Sequence, residues 1–222
     1  MDILKLLLES FWKILLPGLT VTIPLTVISF SFALVIAIIT AMVQYAEIPI
    51  LKPLARFYIW VIRGTPLLVQ LYVVFFGLPS IGIRIDAFPA AVIVFSVNEG
   101  AYCAETMRAA IESVPAGQME AGYCVGMNYL QIMRRIVLPQ AFRTAFPPLF
   151  NSLIGMVKDT SLAANITVAE MFFATQRIAG RTYQFMALYL ELALIYLIFS
   201  TVLTKLQAYG EKRLNSYGGN KS

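Results

Sequence analysis

The sequence predicts an all-α integral membrane protein, and three observations carry that prediction. Of 222 residues, 59% are hydrophobic and only 13% charged, where a soluble domain carries about a quarter. Mean hydropathy is +0.76, and the apolar residues are spread along the whole chain rather than gathered in one anchor. Residues 14–45 contain no charged side chain at all, and about 20 such residues suffice to cross a bilayer. The length fits one membrane domain, residues 1–222.

Composition also narrows the function classes. The absence of histidine weighs against metal hydrolases and imidazole acid–base chemistry. The net charge of +5 is most simply loop lysine and arginine, so no nucleic-acid partner is expected. Cys103 and Cys124 lack metal-ligand spacing and imply no disulfide. The first residues interleave acids with leucines and do not read as a cleavable signal peptide.

In chain order, residues 1–13 alternate apolar and charged positions (Lys5, Glu9, Lys13), which predicts an amphipathic helix at an interface. The first crossing follows at about 14–43, with Gly18 and Pro24 expected to kink its start. Pro49 to Pro53 reads as a turn. The second segment, about 54–77, is interrupted by Arg63-Gly64-Thr65-Pro66. Either it starts near Pro53 and carries Arg63 inside, the favoured reading, or it starts at Pro66. A short loop precedes a third crossing at about 87–110. The fourth is expected at 141–158 and the fifth at 183–206. Between these two, Thr167-Val168-Ala169-Glu170 fits a capping box. The helix it would start ends near Gly180, too short to span, so it should pack on the outer face. The tail 216–222 reads as disordered.

Five crossings place the termini on opposite sides. Residues 44–56, 108–143 and 205–222 carry Lys52, Arg56, Arg108, Arg134, Arg135, Arg143, Lys205, Lys212, Arg213 and Lys221. The other side carries fewer cations, so the first side is expected in the cytoplasm, with the N-terminus outside and the C-terminus inside. The polar stretch 115–139 then faces the cytoplasm. Pro115 suits a helix start, and Gly126 suits a left-handed helix end. Asn128 can cap a second helix with Gln131 in the reciprocal position, and Pro139 should stop it. The pattern alone fits a helix–turn–helix gripped by a partner or an ordinary interfacial loop.

Glu120-Ala121, then Gly126, then Leu138-Pro139 resembles the "EAA" loop of permease subunits of bacterial ABC importers. Arg63-Gly64-Thr65-Pro66-Leu67-Leu68-Val69-Gln70, Ala101-Tyr102 with Glu105 and Arg108, and Lys158-Asp159-Thr160-Ser161-Leu162 are similar to the polar amino-acid branch. Residues 77–89 and 139–162 look closest to L-cystine permeases. One departure is Gly122, where a second alanine is usual and where glycine should loosen the helix by about 1 kcal/mol before packing compensates.

The resemblance implies a type I importer fold and alternating access driven from outside the chain. Glu120, Ala121, Gly126, Leu138 and Pro139 would couple it to a cytoplasmic ATP-binding subunit. That partner would bind ATP and Mg, leaving this chain neither an enzyme nor a cofactor protein. The same family pattern implies a second permease subunit, identical or different, and an extracytoplasmic amino-acid-binding protein. It places the chain in the bacterial cytoplasmic (inner) membrane.

Ionisable residues inside a membrane point to function by default. Arg63, Glu99 and Glu191 qualify; Arg63 suits a substrate carboxylate and Glu99 an ammonium. Thr65, Gln70, Asn98 and Asn151 are polar neighbours able to complete such a site. Equally, Arg63 and an acid can pair within the bundle. Asp159 either caps the fourth segment or lines the path. Glu105 and Arg108 read as a structural i,i+3 pair. Such a site accepts cystine, and equally glutamine, histidine or arginine. A stand-alone proton-coupled carrier or channel using Glu99 and Glu191 is the competing class.

Overall fold

A computed structural model describes residues 3–46 and 48–216, and all regular structure among them is helical. Helix α1, Ile3–Pro17, runs through a π-helical turn at Gly18–Thr22 into α2, Ile23–Tyr45. The 43 residues of Ile3–Tyr45 form one helix, about 65 Å long at 1.5 Å per residue. That is about twice the hydrocarbon thickness of a bilayer. The amphipathic N-terminal helix therefore forms without being set apart from the first span. Its buried stripe of Leu6, Ser10 and Ile14 lies against the last two helices, where Ile14 packs with Met171, Leu192 and Ile195. Gly18 makes this approach possible: a Cβ there would lie 2.5 Å from Met171 Sδ.

The second segment is neither of the two single helices that the sequence allowed. Helix α3, Leu51–Gly64, and helix α4, Leu67–Tyr72, are both present, and the chain bends by 103° between them. Pro66 has no N–H to give and pushes the preceding residue out of helical geometry. Thr65 is accordingly extended, at φ −121° and ψ 143°. A π turn, Val73–Gly77, and a 3-10 turn, Leu78–Ile81, continue α4.

Helix α5, Ala87–Glu112, is the hub. It lies along α2 through small residues, with Ala37, Ala101 and Ala104 buried together. A Cβ on Gly100 would sit 2.9 Å from Ile36, so glycine sets how close the two helices come. Helix α6, Ala116–Cys124, and the single turn α7, Tyr129–Ile132, follow. The chain then passes through a π turn, Met133–Val137, straight into α8, Leu138–Asp159. Pro139 does not stop the helix as expected. It occupies the first turn of α8, where a missing N–H is tolerated.

After α8, a 3-10 turn at Thr160–Ile166 leads to α9, Met171–Thr182, and then α10, Phe185–Ser216. The expected cap at Thr167 is displaced by one turn. Thr167 sits in the left-handed region at φ 71°, and Glu170 is the N-cap residue itself. Its carboxylate accepts from the Phe172 and Phe173 N–H groups at 2.8 and 2.7 Å. The helix it starts also continues two residues past Gly180. Among the described residues, three helices are long and apolar enough to cross a membrane, and a fourth if the bent pair counts as one span. Helix α8 has the length, about 33 Å, but carries Arg143, Lys158 and Asp159. The tail beyond Ser216, with Lys221, lies outside the described residues.

A charged cavity at the helix break and a capped hairpin beyond the bundle

From Ala116 to Ile132 the polar stretch forms the two short helices joined by a glycine turn that the residues allow, while Pro139 does not end the second. Gly126 is left-handed, at φ 79°. Its N–H donates to Tyr123 O at 2.9 Å, and Met127 N–H reaches Gly122 O at 3.1 Å, the two bonds of a Schellman helix end. Asn128 and Gln131 exchange side-chain-to-backbone bonds, both 2.9 Å. Gly122 is buried against Ile132 and is not a looseness: a Cβ there would meet Ile132 Cγ1 at 2.7 Å. Glu120, Ala121, Gly126, Leu138 and Pro139 are all exposed. Tyr123, Val125 and Leu130 add exposed apolar surface to the same hairpin. Tyr45 at the end of α2 donates to Met119 Sδ of α6 at 3.7 Å, which ties the hairpin to the bundle.

The break between α3 and α4 opens a cavity of about 640 Å³ bounded by α5 and α8. Arg63, Thr65, Asn98, Glu99 and Asp159, picked out by residue type, all line it. Gln70 stands behind this lining and braces it. Its Nε2 donates to Ile62 O at 2.8 Å and to Thr65 Oγ1 at 2.9 Å, and its Oε1 accepts from Asn98 Nδ2 at 3.0 Å. One side chain thus satisfies a carbonyl freed by the break and fixes the orientation of Asn98. Glu99 accepts weakly from Cys103 Sγ, at 3.6 Å.

Arg63 lies with its guanidinium 5.1 Å over the Tyr102 ring and 3.8 Å from Glu105 Oε2. Glu105 and Arg108 form the expected i,i+3 pair at 3.1 Å. Arg63, Glu99 and Asp159 line the same space, one cation with two acids, an arrangement suited to a ligand carrying both a carboxylate and an ammonium.

Two expected residues fall elsewhere. Asn151 is exposed and does not line the cavity; its neighbour Ser152 does, because successive helical residues point about 100° apart. Glu191 is buried between α1 and α10, where Ser10 Oγ donates to it at 2.5 Å. It borders a different, apolar cavity and does not join Glu99. Ser152, Gly155 and Tyr102 also line the cavity, and residue type alone does not single them out. Stepping back from Asp159 by four and seven along α8 would have found the first two.

Known proteins are similar to this chain in sequence and in fold. Residues 33–216 match the family of binding-protein-dependent transport system inner membrane components. The chain belongs to that family. It is 47% identical over 210 residues to the L-cystine transport system permease protein TcyB of Bacillus subtilis (strain 168), covering 94% of this chain and 90% of that one. It is 33% identical to the arginine transport system permease protein ArtQ of the same organism, covering 91% and 93%. A solved structure described as an amino acid ABC transporter with histidines superimposes with a TM-score of 0.88 at 33% identity, covering 96% of this chain and 99% of that one. The chain is thus an inner-membrane permease component of type I importer architecture.

Proposed function

We propose that this permease forms the translocation path of an ATP-driven ABC importer for a polar amino acid, with L-cystine as the substrate. The carrying observation is the cavity at the helix break, which Arg63, Glu99 and Asp159 line together. Arg63 receives the carboxylate and Glu99 the ammonium, while Thr65, Asn98 and Ser152 offer neutral hydrogen-bonding groups. The similarity to an L-cystine permease supports the choice of substrate. Cystine carries two zwitterionic ends, and one cavity of this kind on each of two subunits matches them. The similarity to an arginine permease supports the same mechanism with another amino acid.

Energy enters at the exposed hairpin. Glu120, Ala121 and Gly126 dock on a cytoplasmic subunit that binds ATP and Mg, with Leu138 and Pro139 fixing the return into α8. No nucleotide chemistry falls to this chain. The cavity is open-sided and bears charges at the depth of the spans, a costly face to show to lipid. A second permease subunit covers it, and the pair alternates between two packings. A binding protein delivers the amino acid from outside, and the excess of cations in the loops supports a cytoplasmic C-terminus.

The test is ATP hydrolysis by the reconstituted transporter with its binding protein, offered cystine, glutamine, histidine or arginine. Stimulation by cystine above the others is expected; no stimulation by cystine removes that substrate. Uptake that survives ATP depletion while a proton gradient is kept would sink the importer reading and favour a proton-coupled carrier. Glu99 and Glu191 bordering separate cavities gives that second reading no continuous acid relay among the described residues.

A further inference from the structure

Glu105 lies outside the cavity of Arg63, yet faces its guanidinium. A second polar cavity of about 720 Å³ opens towards the hairpin, between the end of α2, the start of α3, the last turns of α5 and Tyr129 of α7. Its charged lining is Lys52, Arg56 and Arg108 against Glu105 and Glu112. The two cavities share no lining residue. One contact links their linings: Arg63 Nη1 of the first stands 3.8 Å from Glu105 Oε2 of the second.

The two partners in this contact are held unequally. Glu105 accepts from Arg108 Nε and Nη2 at 3.2 and 3.1 Å, and from Gln44 Nε2 at 3.3 Å. Arg108 is anchored in turn by Glu112, both oxygens at 2.7 Å. The Arg63 guanidinium stands 3.8 Å from Glu105, longer than a hydrogen bond, and otherwise lies on the face of Tyr102. A guanidinium carries five N–H donors in a fork that fits a carboxylate. Glu105 is therefore the fixed partner and Arg63, 43% exposed along its side chain, the one free to exchange.

We propose that the Arg63–Glu105 contact is a gate between the two cavities, opened when a ligand carboxylate takes Arg63 from Glu105. This rests on the amino-acid reading above and deepens it. Glu105 is a positioning residue: it stands in for the substrate carboxylate while the first cavity is empty, and keeps Arg63 across the passage to the second. Released, Arg63 moves with its ligand, and the vestibule beside Tyr129 lies ahead on the hairpin side. An amine that lacks a carboxylate cannot make the exchange, whatever its fit to Glu99.

The test uses the reconstituted transporter with its ATP-binding subunit and binding protein, with cystine and its decarboxylated amine, cystamine, as probes. Glu105→Gln removes the competing charge. The half-saturating cystine concentration for stimulated ATP hydrolysis is expected to fall roughly five-fold, the size of a partly screened ion pair, with hydrolysis in the absence of substrate raised. Cystamine should stimulate neither protein. In an Arg63→Met background the Glu105→Gln effect should vanish. Should Glu105→Gln fail to fold, Glu105→Asp keeps the charge and draws it back by one methylene, and a smaller fall is expected. The gate is overturned if the half-saturating concentration does not move, or if it moves equally in the Arg63→Met background, which would make Glu105 a structural partner of Arg108 only. A wild-type transporter that ATP drives with none of the amino acids would overturn the amino-acid reading itself; wild-type stimulation with unresponsive variants overturns only the gate.

Discussion

Adding one methyl group at position 122 sets two known effects against each other. Gly122→Ala raises helix propensity in α6 by about 1 kcal/mol. The new Cβ, however, would lie 2.7 Å from Ile132 Cγ1 and 2.9 Å from Cδ1, well inside van der Waals contact. Ile132 is fully buried and backed by Met133, Val137 and Met119 in the same cluster, so it has little room to retreat. Overpacking of this kind costs about 1–3 kcal/mol, and the net is destabilisation by roughly 1 kcal/mol. Local opening of the hairpin should then rise about five-fold. Amide hydrogen exchange across residues 116–132, measured on the detergent-purified protein, reads this directly. The double variant Gly122→Ala/Ile132→Ala should recover part of the loss, because the truncated side chain leaves space for the added methyl. Slower exchange in Gly122→Ala than in wild type would refute the reasoning, since propensity would then outweigh a contact that yields easily.

Three further outcomes are expected. Gly126→Pro cannot adopt the φ of 79° seen at that position, so it should abolish substrate-stimulated ATP hydrolysis while membrane levels of the chain stay near wild type; Glu120→Lys, on an exposed face, should do the same, and loss of the chain from the membrane would mark the hairpin as structural. Gln70→Leu leaves the Ile62 carbonyl and Asn98 without their partner and should cost about 1–3 kcal/mol, read as a lower thermal midpoint together with impaired uptake; an unchanged midpoint would deny Gln70 its bracing role. Burial pushes the Glu170 carboxyl up from its ordinary 4.5 to about 7, against the lowering effect of its bonds to Phe172 and Phe173 N–H. The folded chain then holds this proton more tightly than the unfolded chain, so the stability it contributes is fully present below about 4.5 and is lost as pH rises towards 7. The thermal midpoint should fall across that interval, and Glu170→Gln should flatten the fall; a wild-type midpoint that rises instead would reverse the assignment.

The parts legible in the sequence are those with a local cause. A charge-free run gives α2, and the pairing of Asn128 with Gln131 and the left-handed Gly126 follow from residue types at fixed offsets. Arg63, Thr65, Asn98, Glu99 and Asp159 stand out because ionisable, amide or hydroxyl side chains are conspicuous among apolar neighbours. What stayed hidden depends on contacts distant in sequence. Neither local reading of the segment at Pro66 contains the break, and the bonds of Gln70 to both Ile62 and Asn98 accompany it. The Thr-x-x-Glu pattern at 167–170 was locally sound, but burial of Glu170 beside Tyr196 turned the glutamate into the cap. Ser152 and Gly155 are small, and small residues reveal a lining role only once the facing helix is known.

The uninterrupted helical path from Tyr129 to Asp159 has a mechanical meaning. Its 31 residues make a rod about 46 Å long, with one end on the hairpin and the other beside Arg63 and Glu99. For a stiff rod of that length, a tilt of about 5° at the hairpin displaces the Asp159 end by about 4 Å, comparable to the reach of an ion pair. The π turn at Met133–Val137 is the compliant point in that rod. Whatever grips the hairpin thus holds the short arm of a lever, and the stiffness of five residues determines how much of its movement arrives at the cavity.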